Sequence, residues 1–294
     1  VRNYRPNSRE IALEALIKFY NIKEDPAAIL DEITPTNITE RDKAFIREIT
    51  LGSIKYSKRL EFIAQTYIKA PIRSQSVETR AALVMGFYQI QEMSSVPDFA
   101  AVNETVSAVK NIISEKSSGF VNAVLRAYLM QPNKVRFPDK GGEPIKYYSA
   151  YYSYPEWLVK RWLERWGVEE IEMMLEAGNK RAGVFFKILE SKISPNEAVR
   201  ILSDDGIRIS TGDYFPDYFH SDDAGEIIKH RLFTDGCLIV QDQSQGLPLY
   251  LLDPPPGSTV LDLCAAPGGK TLGLADRVGK KGRIMAVDYN PRRL

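Results

Sequence analysis

The run Val260-Leu261-Asp262-Leu263-Cys264-Ala265-Ala266-Pro267-Gly268-Gly269-Lys270-Thr271 joins a short apolar segment to two adjacent glycines and a helix-forming stretch. About twenty residues further on, Asp288 closes a second apolar run. Gly268-Gly269 let the backbone turn with no Cβ in the way, and the first amides of the following helix can meet a carboxylate or phosphate. Asp288 is placed to accept hydrogen bonds from two ribose hydroxyls. Together these residues suit an adenosine ligand.

Spacing separates the motif classes that use such a turn. A phosphate-binding P-loop has a glycine five residues before Gly269, where this chain has Cys264. A dinucleotide fingerprint has three spaced glycines, whereas here Gly273 lies too far along to complete one. S-adenosylmethionine has no pyrophosphate to accommodate, so a shorter turn suffices. The spacing favours that ligand, with another nucleotide or a purely structural turn as the alternatives.

The elements that must position this turn divide the chain into regions. At 294 residues there is room for two or three domains. From Ser8 to about Met130 the pattern is helical, with one apolar face at Ile11, Ala15, Leu16 and Phe19 and another at Phe45, Ile46, Ile49 and Ile54. Further stripes run through Ala82, Leu83, Met85, Phe87 and Ile90, and through Ala101, Val102, Val106 and Val109. Residues 1–132 are therefore expected as an all-α bundle. Residues 133–150, with Pro138, Gly141, Gly142 and Pro144 among charges, read as a linker.

Residues 151–235 read as a small α/β domain. A helix starts behind Pro155, strands are expected at Val184-Phe185-Phe186-Lys187-Ile188-Leu189 and Ile207-Arg208-Ile209, and a capped helix begins at Ser194. Residues 236–294 open with a strand at Cys237-Leu238-Ile239-Val240 and run through the cofactor turn as the first part of a Rossmann-like sheet. The fold class expected is thus multi-domain: helical bundle, small α/β domain, and the start of an α/β cofactor domain.

A net charge of +1 predicts no bulk affinity for polyanions, so nucleic-acid contact must come from local patches. Arg2, Arg5 and Arg9 precede or open the first helix, and Lys55-Tyr56-Ser57-Lys58-Arg59 sets cations beside an aromatic ring; both suit phosphate contact with base stacking, or else a solvated helix face. The two cysteines, Cys237 and Cys264, have no paired spacing, and the two histidines, His220 and His230, have no metal spacing, so neither a disulfide framework nor a metal site is expected. No apolar run is long enough to span a bilayer and the first residues do not resemble a signal peptide. Cysteine usage of this kind fits a reducing cytoplasm.

Leu261-Asp262-Leu263-Cys264-Ala265-Ala266-Pro267-Gly268-Gly269-Lys270-Thr271 closely resembles the cofactor motif of the ribosomal RNA cytosine-C5 methyltransferases of the Sun (RsmB) family. Gly236 to Ser244 resembles the segment entering that catalytic domain, and Tyr154-Pro155-Glu156-Trp157-Leu158 its lead-in helix. Phe120-Val121-Asn122-Ala123-Val124-Leu125-Arg126 resembles the signature that closes a NusB-like domain. The resemblance spans nearly the whole chain in the family's domain order. It implies a NusB-like bundle that binds RNA, a middle domain like an RNA-recognition motif, and a Rossmann-like methyltransferase acting on a cytosine in small-subunit (16S) ribosomal RNA. By the same resemblance Cys264, Ala265, Ala266, Pro267, Gly268, Gly269 and Lys270 wrap the methionine end of S-adenosyl-L-methionine, and Asp288 holds its ribose. The strand ending Lys187-Ile188-Leu189 departs from the family's usual Arg-Val-Asn.

Cytosine C5 is a poor nucleophile until a thiolate adds to C6 of a base drawn out of its stack. The resemblance implies that this thiolate lies in a Thr-Cys motif, with a second cysteine in a Pro-Cys motif, both far downstream of the ribose-binding carboxylate. Neither motif occurs before Leu294. Cys264 sits inside the cofactor turn and Cys237 begins a strand, so no catalytic residue is expected in this chain and it is not expected to turn over alone. Asp253-Pro254-Pro255-Pro256 precedes the cofactor strand and reads as a linker, and Asp242-Gln243-Ser244-Gln245-Gly246 lacks the first glycine of a hydrolase elbow. The apolar edge of so short a sheet is expected to pair with something. The rival reading is a non-catalytic RNA-binding protein of transcription antitermination or ribosome assembly.

Overall fold

A computed structural model describes residues 6–180 and 183–289, so Arg2 and Arg5 lie outside the described residues. Two compact units divide at 180/181, and each is described by itself.

The first unit is helical: α1 (Ser8–Ile22), α2 (Pro26–Ile33), α3 (Glu40–Lys55), α4 (Ser57–Gln65), α5 (Val77–Glu92), α6 (Asp98–Ile112), α7 (Glu115–Met130), α8 (Pro144–Tyr152) and α9 (Glu156–Asn179). Local sequence sets the starts. Asn7 and Glu10 form a reciprocal capping box on α1, and the side chains of Thr39, Ser76 and Ser114 accept amides of α3, α5 and α7. At the bundle's centre, α5 is buried on every side from Ala81 to Gln89, as expected of a helix surrounded by others. Gly52 of α3 allows the closest approach to it, because a Cβ there would lie 2.0 Å from the Tyr88 ring. Ile11, Leu16, Ile49, Leu83, Phe87 and Leu125 belong to one continuous apolar core, each at most 2% exposed.

Residues 133–150 are not a plain linker, since α8 occupies most of their second half. Tyr147, Tyr148, Tyr151 and Tyr152 give that helix an aromatic face rather than an aliphatic period, and that is why periodicity missed it. Residues 151–180, expected with the α/β domain, complete the first unit, where α8 and α9 share a small core of Tyr148, Val159, Ile171 and Leu175. The helix α9 kinks at Gly167, whose φ of 78° lies outside helical geometry.

The second unit begins with β1 (Val184–Ile188), followed by α10 (Pro195–Asp204), β2 (Ser210–Thr211), β3 (Tyr218–Ser221), two single-turn helices α11 (Ala224–Ile227) and α12 (Arg231–Thr234), and β4 (Leu238–Val240). These strands form one antiparallel sheet in the order β2-β3-β1-β4. Period two divides the side chains of β1. Phe186 and Ile188 face a core with Ala198, Leu202 and Ile227, while Phe185 and Lys187 leave the opposite face. The sheet runs past the boundary expected at 235/236, because β4 pairs with β1. Ile207 and Ile209, expected in a strand, precede β2 and pack against the core instead. The chain then continues through α13 (Gln243–Leu252), β5 (Thr259–Asp262), α14 (Gly269–Val278) and β6 (Arg283–Ala286), and β5 and β6 pair in parallel, Thr259 opposite Arg283 and Asp262 opposite Ala286. No helix among the described residues is long and apolar enough to cross a membrane.

Candidate cofactor site

The turn between β5 and α14 is held by a small set of hydrogen bonds that converge on two carboxylates. Asp262, at the end of β5 and 8% exposed, accepts from the Cys264 amide at 3.2 Å through one oxygen and from the Thr271 hydroxyl at 2.7 Å through the other. It clips the start of the turn to the first turn of α14. Asp288, just beyond β6, accepts from the Ala266 amide at 2.9 Å. The parallel ladder continues into the turn, with the Val287 amide donating to Asp262 O at 2.8 Å and Ala265 donating to Val287 O at 3.1 Å.

Gly268 precedes α14 with φ 99°, in the left-handed region open to glycine, and its amide donates to Ala265 O. Nothing lies within 4 Å of the position a Cβ would take there. The amides of the first turn of α14 have no intrahelical acceptor and carry the positive end of the helix dipole, so the mouth of the turn favours an anionic group. Cys264 and Pro267 are exposed, Ala265 is buried, and Ala266, Gly268, Gly269 and Lys270 are half-buried. The structure thus brings Cys264, Ala265, Ala266, Pro267, Gly268, Gly269, Lys270 and Asp288 together around one turn.

Gln241 is a neighbour that sequence reasoning passed over. It is 2% exposed; its Oε1 accepts from Tyr218 Oη at 2.6 Å, while its Nε2 has no partner. A Cβ on Gly269 would lie 3.3 Å from that Nε2. The polar chain continues behind it. Lys187 and Asp217, each with a side chain 2% exposed, form an ion pair, Tyr250 donates to the same Asp217 carboxylate, and Lys187 lies over the Tyr218 ring. Burial, first, and the Asp217 charge push the Tyr218 and Tyr250 hydroxyls well above the ordinary tyrosine range, so both stay protonated donors. Gly273, too far along to serve as a cofactor glycine, lets α14 pack closely, since its Cβ would meet Leu249 at 2.5 Å and Lys187 at 3.4 Å. Asp276 of α14 accepts from the Glu190 and Ser191 amides at 2.9 Å each, tying the helix to the turn after β1.

The basic residues expected to face RNA have other contacts as well. Arg9 donates to Gln89 at 2.7 Å and lies 5.0 Å from the Phe45 ring centroid; burial lowers its pKa from the ordinary value against the pull of Glu104. Arg59 pairs with Glu92 at 3.7 Å and lies over Tyr151, and Lys55 donates to the Asn179 carbonyl at 3.0 Å. Lys58 lines a cleft of about 280 Å³ with Arg73, Lys146, Glu61 and Glu156. Cys237 is half-buried, and among the described residues no cluster of three or more histidines, cysteines and carboxylates could hold a metal.

Three family models match the chain in order: the NusB family over residues 6–130, the ferredoxin-like domain of RsmF/B-like methyltransferases over 154–225, and 16S rRNA methyltransferase RsmB/F over 249–294. The chain is 27% identical over 292 residues to the probable ribosomal RNA small subunit methyltransferase B of Bacillus subtilis (strain 168), covering 97% of this chain and 63% of that protein. It is 26% identical over 288 residues to ribosomal RNA small subunit methyltransferase B of Proteus mirabilis (strain HI4320), covering 98% and 66%. The chain therefore spans about two thirds of the length of these curated relatives. The crystal structure of PH0851 shares the fold, with a TM-score of 0.64 at 20% identity over 99% of this chain and 65% of that one.

Proposed function

We propose, from the premise that this chain belongs to the RsmB/F family of ribosomal RNA methyltransferases, that its second unit binds S-adenosyl-L-methionine in the β5–α14 turn for methylation of C5 of a cytosine in 16S ribosomal RNA. The observation that carries the reading is the joint fixing of the turn by Asp262 and Asp288 around an open Gly268. The bound cofactor supplies an electrophilic methyl group on a sulfonium. Asp288 orients the ribose while the hydrogen bond it accepts from the Ala266 amide ties the turn to the end of β6. The first amides of α14 receive the cofactor's carboxylate. Asp262 and Thr271 clip the start of the turn to α14 and so hold it in shape. The unpartnered Gln241 Nε2 beside Gly269 fits a site whose polar inventory a ligand or bound water completes.

Cys264 lines this pocket and Cys237 supports a strand, so neither is assigned as the nucleophile; that role belongs to a thiolate other than these two. The bundle contributes RNA contact through Lys58, while Arg9, Lys55 and Arg59 act mainly on the fold through Gln89, the Asn179 carbonyl, Glu92 and Tyr151. The domain reading is a NusB-like bundle, a ferredoxin-like sheet and a Rossmann-like β5–α14–β6 unit acting in the cytoplasm. The half-exposed Leu261 and Met285, with the more exposed Leu263, suit coverage by further strands or by another chain. Calorimetric titration with S-adenosylhomocysteine and with ATP tests the cofactor. Saturable binding of the first alone is expected, and tight ATP binding with no response to the homocysteine would contradict the assignment.

A further inference from the structure

The face of the four-stranded sheet turned away from α10 carries a cleft of about 580 Å³ that the cofactor turn does not use. Phe185, Tyr214, Phe215 and Leu247 line it together with the carboxylates of Asp213 and Asp242, the latter accepting through Oδ1 from the Ser244 amide and hydroxyl. The walls are braced from behind. Phe215 stacks on Tyr250 with centroids 3.9 Å apart and planes within 8°, and the Arg277 guanidinium lies 4.2 Å from the other ring's centroid. The Tyr214 amide donates to Gln243 at 3.0 Å, which fixes the loop while leaving the Tyr214 residue 78% exposed.

We propose that this cleft receives one unstacked nucleobase of the RNA strand, next to the base being methylated. Flat aromatic walls suit a planar ring. Carboxylates repel phosphate but accept hydrogen bonds from the exocyclic amino groups of cytosine, adenine or guanine, so a base enters while its backbone stays outside. Among the described residues no lysine or arginine lines the cleft, which favours a base over a phosphate or an acidic peptide. Its position ties it to the chemistry. The Gln241 amide donates to Phe185 O at 3.0 Å, and the Gln241 side chain abuts Gly269, so one residue joins the cleft wall to the cofactor turn. The inference rests on the RNA methyltransferase reading and adds to it a subsite for a neighbouring nucleotide.

The test measures binding of a fluorescent single-stranded oligoribonucleotide and of S-adenosylhomocysteine to the full 294-residue chain, with Tyr214→Ala and Tyr214→Phe variants. Tyr214→Ala is expected to weaken oligoribonucleotide binding about tenfold or more without changing its salt dependence, because a stack and no phosphate contact is lost. Tyr214→Phe keeps the ring and is expected to bind like wild type, and homocysteine affinity is expected to stay unchanged in both. Wild-type RNA affinity in Tyr214→Ala overturns the subsite alone. Absence of RNA binding in the wild-type chain overturns the RNA reading and the subsite with it. A loss of homocysteine affinity in Tyr214→Ala assigns the cleft to the cofactor, and a loss of self-association by light scattering assigns it to a second copy; either result overturns the proposal.

Discussion

The helical unit and the second unit distribute their buried polar groups differently. In the first, α5 is packed on every side and the buried polar groups are scattered through the bundle: Gln89 bonds to Thr105, Arg9 and Met85 O, while the hydroxyls of Thr50 and Ser53 have no partner. In the second, a buried ion pair, two tyrosine hydroxyls and a glutamine with a partnerless amide nitrogen lie under the cofactor turn. Apolar packing stabilises without specifying much, and bundles tolerate varied fillings of similar volume. Buried polar groups cost more and permit fewer arrangements, so their concentration beneath one turn marks where geometry matters for function.

Breaking the ion pair gives the largest expected effect. Asp217→Ala leaves Lys187 charged and buried and is predicted to destabilise the second unit by about 3–5 kcal/mol, while the melting of the helical unit stays put. Hydrogen exchange resolved by segment checks this, and equal loss of protection in both units would remove the contrast. Replacing Lys187 by Met and Asp217 by Leu together sharpens it: stability is predicted to return near wild type or above, with weaker homocysteine binding because Tyr250 loses its Asp217 acceptor and Tyr218 the Lys187 cation over its ring. If the double variant binds as well as wild type, the polar chain does not shape the turn.

Asp262→Ala removes the acceptor of Cys264 and Thr271 and is predicted to cost about 1–3 kcal/mol, seen mainly as lost cofactor affinity. An affinity within twofold of wild type would show that the turn keeps its shape without the clip. The smallest effect belongs to the bundle surface. Thr39→Ala deletes the cap of α3 and is predicted to lower its stability by about 1 kcal/mol, read as a modest drop in melting temperature. Hydrogen bonds from Thr39 and Ser8 hold the Asp42 carboxyl below its ordinary pKa. Its contribution is therefore complete above the unfolded carboxylate range and is lost as pH falls through the lowered folded value. Wild type and Asp42→Asn should differ at neutral pH and converge in acid, and a constant difference across that range would refute the linkage.

The same contrast explains what could be read from sequence. Aliphatic periodicity located α1, α3, α5 and α6 because an apolar stripe is a local signal. Glycine spacing and a strand-ending carboxylate located β5, the turn and Asp288 for the same reason. The misses depend on partners distant in sequence. Tyr218-Phe219-His220-Ser221 is a strand between Pro216 and Asp222, where turn residues mask it, and its partner β1 lies some thirty residues upstream. Gln241 reads as an ordinary polar residue until Tyr218 and Gly269 are seen around it, and Lys187 reads as a solvated strand position until Asp217 closes over it. Asp262 had a usable signal, since a carboxylate ending an apolar strand two positions short of a turn needs donors.

The central claim is that Asp288 and the turn from Cys264 to Lys270 hold an adenosyl ligand. Calorimetric titration of wild-type and Asp288→Ala chains with S-adenosylhomocysteine tests it most directly. The account predicts saturable wild-type binding weakened by about 1–3 kcal/mol in the variant, with the melting of the helical unit unchanged. Equal affinity in the two chains would contradict it.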